Sequence, residues 1–273
     1  MSSFTSISPD KLSRLVGTAK APVLVDVRTD EEFAADPRLI PGSARRPHRQ
    51  IDDWGGSLSG RSVVVICSKG RQLSEGTAAM LRHRGIAAET LEGGKAAWNE
   101  ASLPTIAADR IPKRDSHGRS AWVTRSRPKI DRIACPWLIR RFVDPGAVFL
   151  FVASAEVLTV AEDFAATPFD VEHVFWSHRG ELCTFDVILK EFGLSTPALE
   201  RLAVMVRAAD TDRLDLSPEA PGLLAASLGL SRMYDDDLDQ LNAGILVYDA
   251  FYRWCRDATR ETHNWPTNKT TRT

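Results

Sequence analysis

Strand and helix signals alternate over residues 1–105, and this alternation most constrains what the chain can fold into. Residues 22–27, 63–66 and 86–91 are short apolar runs of the kind that form strands buried on both faces. Apolar residues at helical spacing follow the second run, over residues 73–84. Because strands that alternate with helices lie parallel in one sheet, the pattern predicts an α/β fold with a parallel sheet.

A cysteine, Cys67, stands where the apolar run 63–66 ends and a polar loop begins. When such a loop leads into a helix, its backbone N–H groups and the positive end of the helix dipole converge on the sulfur. These surroundings favour the thiolate, which is the reactive form of cysteine. The position therefore indicates a nucleophile, and a buried structural cysteine that closes the strand is the alternative.

The first 105 residues resemble the rhodanese (sulfurtransferase) superfamily. The matching segments are residues 24–28, 32–33 and 40–43, the Cys67 loop, and residues 91–94 followed by Trp98. The resemblance implies that Cys67 takes the outer sulfur of a small anionic donor such as thiosulfate, holds it as a persulfide and passes it to a thiol or another nucleophilic acceptor. This sulfur transfer requires no cofactor.

Four loop residues are expected to bind the donor. Lys69 and Arg71 would attract its negative charge, Gly70 lets the loop turn tightly and approach the substrate, and Gln72 closes the loop. The family commonly has Arg then Ser where this chain has Gln72 and Leu73, which leaves the identity of the donor open. Leu39 stands where the family usually has His.

Asp26 and Arg28 lie at the end of the first apolar strand. We expect them to anchor the Cys67 loop or the turn after their own strand. A surface ion pair is the alternative interpretation.

Residues 121–262 are richer in helical patterns, and polar residues 106–120 are predicted to form a linker. We expect a helix-rich α+β domain here, followed by a disordered tail over residues 263–273. The predicted helices cover residues 131–143, 197–209 and 236–258, and the predicted strands cover residues 147–152 and 171–176.

Six cations stand between residues 125 and 141, among them Arg125 and Arg132, with Cys135 in the same stretch. Guanidinium groups bind tetrahedral dianions in bidentate geometry, so Arg125, Arg132 and Cys135 are candidates for oxyanion binding. A solvated helix face with Cys135 packed in the core is the alternative.

Imidazole and carboxylate groups follow further along the chain. His178, Glu181 and Asp210 are candidate metal ligands, although their spacing matches no standard zinc pattern. The metal would be a cofactor of this second half, and the sequence does not identify it. Isolated surface residues are the alternative interpretation.

This second half resembles the C-terminal domain of chromate-resistance proteins of the ChrB type. Residues 122–125, 131–142 and 178–185 carry the resemblance, and the run 131–142 is long and distinctive. It implies an association with resistance to chromate, as a sensing or a detoxifying protein, without a defined reaction. Chromate is thereby a candidate partner.

The composition excludes several classes of protein. A formal net charge of −1 argues against a general nucleic-acid binder. Four cysteines without a CxxC pair fit reduced thiols better than a disulfide scaffold. Neither a signal peptide nor a run long enough to cross a membrane is evident, so we expect a soluble, cytoplasmic protein.

Two functions are compatible with these features. The first is a sulfurtransferase that acts through a Cys67 persulfide in resistance to chromate or related oxyanions. The second is a sensor or binding protein for chromate or a metal, in which the first half is a non-catalytic docking or regulatory unit. A reactive Cys67 beside cations favours the first function, and a buried, neutral Cys67 favours the second.

Overall fold

A computed structural model describes residues 5–261, and its first half is built on a parallel sheet. The strands, in the spatial order β1-β6-β5-β2-β4, are all parallel to their neighbours. They are β1 (Ser6–Ile7), β2 (Val23–Asp26), β4 (Ser43–Arg45), β5 (Ser62–Ile66) and β6 (Ala87–Leu91). The accompanying helices are α1 (Pro9–Leu15), α2 (Asp30–Ala35), α3 (Ile51–Trp54), α4 (Gln72–His83) and α5 (Gly94–Glu100).

The central strands are buried on both faces, as continuous apolar runs predict. On one face of β5, Val63 and Val65 pack in a cluster with Leu81 of α4, while Val64 and Ile66 join the larger core on the other face. The three predicted strands and the helix after Cys67 are confirmed. Strands β1 and β4 have only two or three residues each, too few for a periodic pattern to reveal.

Part of the segment predicted as a linker is bound to the first half. Strand β7 (Ile106–Ala107) pairs antiparallel with β3 (Arg38–Leu39), and Ile106 is fully buried. A short 3-10 turn, Ala108–Arg110, follows. The division into residues 1–105, 106–120 and 121–262 stays a prediction.

The second half combines a small parallel sheet with many helices, which confirms the predicted helix-rich α+β class. Its strands, in the order β10-β8-β9, are β8 (Ala121–Arg125), β9 (Val148–Val152) and β10 (Thr167–Pro168). Its helices are α6 (Asp131–Leu138), α7 (Val157–Asp163), α8 (Thr184–Glu191), α9 (Pro197–Asp210), α10 (Ala220–Met233) and α11 (Asp237–Arg253). Turns of π-helix extend α6 over Ile139–Val143 and α11 over Trp254–Ala258.

Two details of the second half differ from the sequence-based expectations. The predicted strand over residues 171–176 is wrong: His173 has a left-handed backbone, with φ 64°, and only a single bridge joins Phe169 to Trp176. A left-handed residue interrupts extended pairing. In the predicted helix over residues 236–258, Leu238 is exposed and the last five residues, Trp254–Ala258, form a π-helix.

The two halves share one apolar core. The largest buried cluster includes Leu12 and Trp98 of the first half together with Trp137 and Phe142 of the second. Backbone pairing joins the halves as well, since the Gly42 N–H donates to the Phe142 carbonyl over 2.7 Å. The halves therefore pack against each other through buried side chains.

Within residues 5–261, no helix is long and apolar enough to cross a membrane. The four cysteines are free thiols and all are buried, including Cys255 in the core of the second half. The tail predicted to be disordered, residues 263–273, lies outside the described residues.

Candidate functional site

The backbone around Cys67 is held by the start of helix α5. Cys67 follows the last residue of β5, and its carbonyl accepts a hydrogen bond from the Lys95 N–H over 2.9 Å. The Ser68 carbonyl accepts one from the Ala96 N–H over 3.0 Å. Because the first N–H groups of a helix have no partner inside it, α5 is free to fix the loop in this way.

The Cys67 sulfur receives donors from the loop and from helix α4. The Arg71 N–H donates to Sγ over 3.3 Å, and the Ser74 hydroxyl lies 3.1 Å from Sγ. Ser74 also donates to the Arg71 carbonyl over 3.0 Å. A hydroxyl has one proton to donate, so it can serve the carbonyl beside a neutral thiol and turn to a thiolate or persulfide anion.

Gly70 allows the loop to pass close to the turn that precedes α5. Its φ is +66°, and a Cβ at this position would lie 2.5 Å from the Leu91 carbonyl oxygen and 2.7 Å from the Gly94 nitrogen. Both contacts are with backbone, which cannot rotate away as a side chain can. The position therefore requires glycine on grounds of backbone conformation and of space.

The remaining loop residues expected to bind the donor are exposed. Lys69 and Arg71 flank Gly70, and Gln72 is the first residue of α4. Among residues 5–261, the side chains of Lys69 and Arg71 have no ion-pair partner. Their charge is available to an anion that approaches the loop, while Cys67 itself is only 5% exposed.

Asp26 and Arg28 form a buried ion pair, so the alternative of a surface pair is wrong. The Arg28 guanidinium donates to the Asp26 carboxylate over 2.7–3.1 Å, and both side chains are 2% exposed. Arg28 also donates to the carbonyls of Asp36 and Arg38, each over 2.9 Å. The pair is therefore seen to anchor residues 36–38, which follow α2.

The second half gathers a polar cluster, defined as Asp131, Asp170, His178 and Asp210. Asp131 opens α6, Asp170 follows β10 by two residues, and Asp210 ends α9. The His178 Nε2 atom lies 3.5 Å from Asp131 Oδ2, 3.5 Å from Asp170 Oδ1 and 3.2 Å from Asp210 Oδ2. Four separate chain segments thus bring one imidazole against three carboxylates.

The backbone beside this polar cluster has unusual conformations. Asp170 has φ 53°, and Ile130, which precedes Asp131, has φ 38°. A β-branched residue at positive φ is a rare, strained conformation of the kind found near functional sites. The Ile130 N–H and carbonyl are hydrogen bonded to Ser227 and Tyr248, which hold it in place.

Two of the predicted oxyanion ligands contact the polar cluster. Arg125 Nη2 lies 3.2 Å and Arg132 Nε lies 3.4 Å from Asp170 Oδ2. Arg132 also donates to the Ser126 carbonyl over 2.8 Å. Both guanidinium groups are thus engaged with Asp170, although the Arg125 Nε atom is buried without a hydrogen-bond partner among the described residues.

The other predicted ligands lie apart from this arrangement. Cys135 is fully buried, and burial raises the pKa of its thiol well above the ordinary value, which keeps it neutral. Glu181 is exposed and outside the group of ligand atoms that Asp131, Asp170 and His178 bring within 4.8 Å of one another. Of the predicted metal ligands, the structure brings together His178 and Asp210.

Sequence reasoning missed Asp131 and Asp170. Asp131 is the single acid among the six cations of residues 125–141, and a lone acid in such a stretch gives no metal-ligand pattern. Asp170 and Arg125 lie at the carboxyl ends of the parallel strands β10 and β8, which meet at one edge of the sheet. The false strand prediction over residues 171–176 hid this signal.

The electrostatics of the polar cluster are strongly coupled. Hydrogen bonds to Asp131, Asp170 and Asp210 raise the pKa of His178 to about 12. Burial, together with the charge of Asp210, raises the pKa of Asp131 to about 7. Burial opposes ionisation of Asp170, but His178, Thr184 and the two arginines lower its pKa. The cluster opens to solvent on the side of His178, whose side chain is 40% exposed.

Each half of the chain matches a described family model. Residues 8–101 match the family model described as "Rhodanese-like domain", and residues 122–255 match the one described as "ChrB, C-terminal domain". Protein ChrB of Cupriavidus metallidurans is 35% identical over 153 residues, which are 55% of this chain and 45% of that protein. The chain thus spans less than half the length of this relative.

Solved structures align with about a third of the chain. A rhodanese-like domain protein from Staphylococcus aureus is 33% identical, with a TM-score of 0.32, over 35% of this chain and 91% of that one. A thiosulfate sulfurtransferase from Pseudomonas aeruginosa is 27% identical, with a TM-score of 0.31, over 37% of this chain and 19% of that one.

Proposed function

The chain joins a rhodanese-like domain to a ChrB C-terminal domain, and we propose that it carries sulfane sulfur on Cys67 in resistance to chromate or related oxyanions. The observation that carries this proposal is the setting of the Cys67 sulfur. Sγ lies at the carboxyl end of β5, with the Arg71 N–H donating to it and the Ser74 hydroxyl 3.1 Å away. Such donors stabilise a sulfur anion, whether thiolate or persulfide.

The proposed cycle has two displacements at sulfur. The Cys67 thiolate attacks the outer sulfur of a donor such as thiosulfate, the sulfur–sulfur bond of the donor breaks, and sulfite leaves with its electron pair. Cys67 then holds one extra sulfur as a persulfide anion. A thiol or cyanide acceptor attacks this outer sulfur, and the Cys67 thiolate is regenerated.

Each loop residue has a distinct part in this cycle. Lys69 and Arg71, which are exposed and unpaired among residues 5–261, attract the anionic donor and stabilise the departing sulfite. Gly70 keeps the loop in the turn that directs the Arg71 N–H at the sulfur. Gln72 contributes no charge, so we expect weaker binding of thiosulfate than an arginine at this position would give.

Intact mass spectrometry after exposure to thiosulfate tests the proposal. Wild-type protein should gain the mass of one sulfur atom and lose it on addition of cyanide, with release of thiocyanate. Cys67→Ser should gain nothing, and Cys255→Ser, which removes a fully buried thiol from the core, should behave as wild type. Equal thiocyanate production by wild type and Cys67→Ser would refute the proposal.

The link to chromate is tested in cells. In a chromate-sensitive bacterium, expression of the wild-type chain should raise the chromate concentration that permits growth. Cys67→Ser, expressed to the same level, should not. Equal protection by the two proteins would show that chromate resistance does not depend on the Cys67 thiol.

One observation favours a second candidate function, in which the first half is a docking or regulatory unit of a chromate or metal sensor. Cys67 is only 5% exposed, which limits the access of a donor to its sulfur. This alternative expects no mass gain on wild-type protein after thiosulfate. The same experiment therefore decides between the two candidates.

A further inference from the structure

The polar cluster of Asp131, Asp170, His178 and Asp210 has no part in the proposed sulfur transfer, yet its geometry is that of a ligand set. We propose that these four side chains bind a first-row divalent metal ion, of the Mn²⁺ or Fe²⁺ type. The proposal concerns the second half alone and does not depend on the chemistry of Cys67.

The distances within the polar cluster fit a metal site. Two ligand atoms each about 2.1 Å from a metal are separated by about 3.0 Å at octahedral angles and about 3.4 Å at tetrahedral angles. His178 Nε2 lies 3.2–3.5 Å from one oxygen of each of the three carboxylates. The ligand atoms of Asp131, Asp170 and His178 all lie within 4.8 Å of one another, and Asp210 joins this group through its 3.2 Å contact with His178.

An unpartnered buried oxygen is independent evidence for a bound cation. Asp131 is fully buried, and its Oδ2 atom accepts hydrogen bonds from the Thr184 and Phe185 N–H groups over 2.6 and 3.3 Å. Its Oδ1 atom is buried with no hydrogen-bond partner among residues 5–261. A buried carboxylate oxygen without a donor is costly, and a metal ion held by both oxygens of Asp131 would supply the missing interaction.

The carboxylates are also held in position by neighbouring groups. Thr184 donates to Asp170 Oδ1 over 2.9 Å, while Arg125 and Arg132 approach Asp170 Oδ2. Metal-bound carboxylates typically have outer partners of this kind, which fix their orientation. Helix α8, whose first N–H groups bind Asp131, serves the same purpose from the other side.

The polar cluster is accessible to an entering cation. The His178 side chain is 40% exposed and that of Asp210 is 19% exposed, so an ion can enter from solvent past these two ligands. The buried Asp131 then lies at the inner end of the site.

The donor set indicates the class of metal. Three carboxylate oxygens and one imidazole nitrogen include no thiolate, because Cys135 and Cys183 remain buried, neutral thiols beside the cluster. Carboxylates suit Mn²⁺, imidazole suits Fe²⁺ and Zn²⁺, and the mixture favours first-row metals over Ca²⁺ or Cu⁺.

Binding of Mn²⁺ to the full chain, after treatment with a chelator, tests the proposal. We expect one Mn²⁺ per chain by elemental analysis and by loss of the free-ion signal in electron paramagnetic resonance. His178→Gln and Asp210→Asn should weaken binding at least tenfold, and both positions are exposed enough to tolerate substitution without unfolding. Asp131→Asn, checked for folding by circular dichroism, should abolish binding.

Two control variants keep the test specific. Glu181→Gln and His173→Gln change exposed residues of the same region that lie outside the polar cluster, and both should bind Mn²⁺ as wild type does. Cys67→Ser should also bind Mn²⁺ as wild type does, so a failure of the proposed sulfur transfer can be distinguished from a failure of metal binding. Wild-type protein that binds neither Mn²⁺ nor Zn²⁺, or cluster variants that bind as well as wild type, would overturn the proposal.

Discussion

Substitution of Gly70 by alanine tests whether the loop depends on this one close approach. Alanine at φ +66° costs about 1–2 kcal/mol because Cβ is crowded in the left-handed region. The new Cβ would also lie 2.5 Å from the Leu91 carbonyl oxygen, 2.7 Å from the Gly94 nitrogen and 2.8 Å from the Gly93 nitrogen. Overpacking of this kind adds about 1–3 kcal/mol, so we expect a total loss of about 2–5 kcal/mol.

Two other glycines serve as matched controls for Gly70→Ala. Gly60 has φ +73° but nothing within 4 Å of an added Cβ, so Gly60→Ala should cost only the backbone part, about 1–2 kcal/mol. Gly76 lies inside α4 with open space around it, so Gly76→Ala should stabilise the protein by about 0.5–1 kcal/mol. The order of stability is therefore Gly76→Ala, wild type, Gly60→Ala, Gly70→Ala.

Urea unfolding monitored by tryptophan fluorescence gives the free energies, and persulfide formation gives the functional effect. In Gly70→Ala the loop must move to separate the new Cβ from residues 91–94, and the Arg71 N–H then no longer donates to Cys67 Sγ. The rate of persulfide formation should therefore fall at least tenfold. Gly60→Ala should keep the wild-type rate. Equal losses of stability in Gly70→Ala and Gly60→Ala would show that the close approach to residues 91–94 has no energetic weight.

Three further predictions concern named contacts. Arg28→Met should lower the free energy of unfolding, measured in urea, by about 3–5 kcal/mol, because it leaves Asp26 buried and unpaired. Arg14→Ala removes an exposed pair with Asp10 and should lower it by less than about 1 kcal/mol. Ser74→Ala should slow persulfide formation about 10–100-fold, because it removes a hydrogen bond to the sulfur anion that is worth about 1.5–3 kcal/mol. Ser57→Ala, which removes a hydrogen bond to the Trp54 carbonyl, should leave the rate of persulfide formation unchanged. Burial opposes ionisation of Asp36, but Lys95, Asn99 and Arg28 lower its pKa below 3.8. The stability that ionised Asp36 contributes is therefore present above its unfolded pKa and lost as the pH falls through its folded pKa. Asp36→Asn should accordingly lose less stability than wild type when the pH falls below about 4.

Local patterns predicted the elements whose residues interact mainly with near neighbours. The buried strands, the helix after Cys67 and helix α9 are confirmed, because strand burial and helical periodicity are visible in a few consecutive residues. The polar cluster could be predicted only in part. His178 and Asp210 were named from residue type, but Asp131 joins them through a contact between residues 131 and 184, 53 positions apart.

The errors share a physical cause. Residues 171–176 have an apolar, strand-like composition, yet left-handed backbone at Asp170 and His173 turns the chain and brings His178 over the carboxylates. No periodic pattern encodes such a turn when the residues are not glycine. Glu181 is close to His178 in sequence, but its side chain is exposed to solvent.

Both candidate sites use the same structural device at the carboxyl ends of parallel strands. In the first half, β5 ends at Cys67, and the loop after it is fixed by the free N–H groups of α5. In the second half, β8 ends at Arg125 and β10 leads to Asp170, while the free N–H groups of α8 bind Asp131. An N–H group at the start of a helix also faces the key atom of each site: that of Arg71, which precedes α4, donates to the Cys67 sulfur, and those of Thr184 and Phe185 in α8 donate to the Asp131 carboxylate. Although the two halves share one buried core, Gly70→Ala, which loosens the first site, should leave the second intact, because the contacts that support Asp131 come from α8 of the second half.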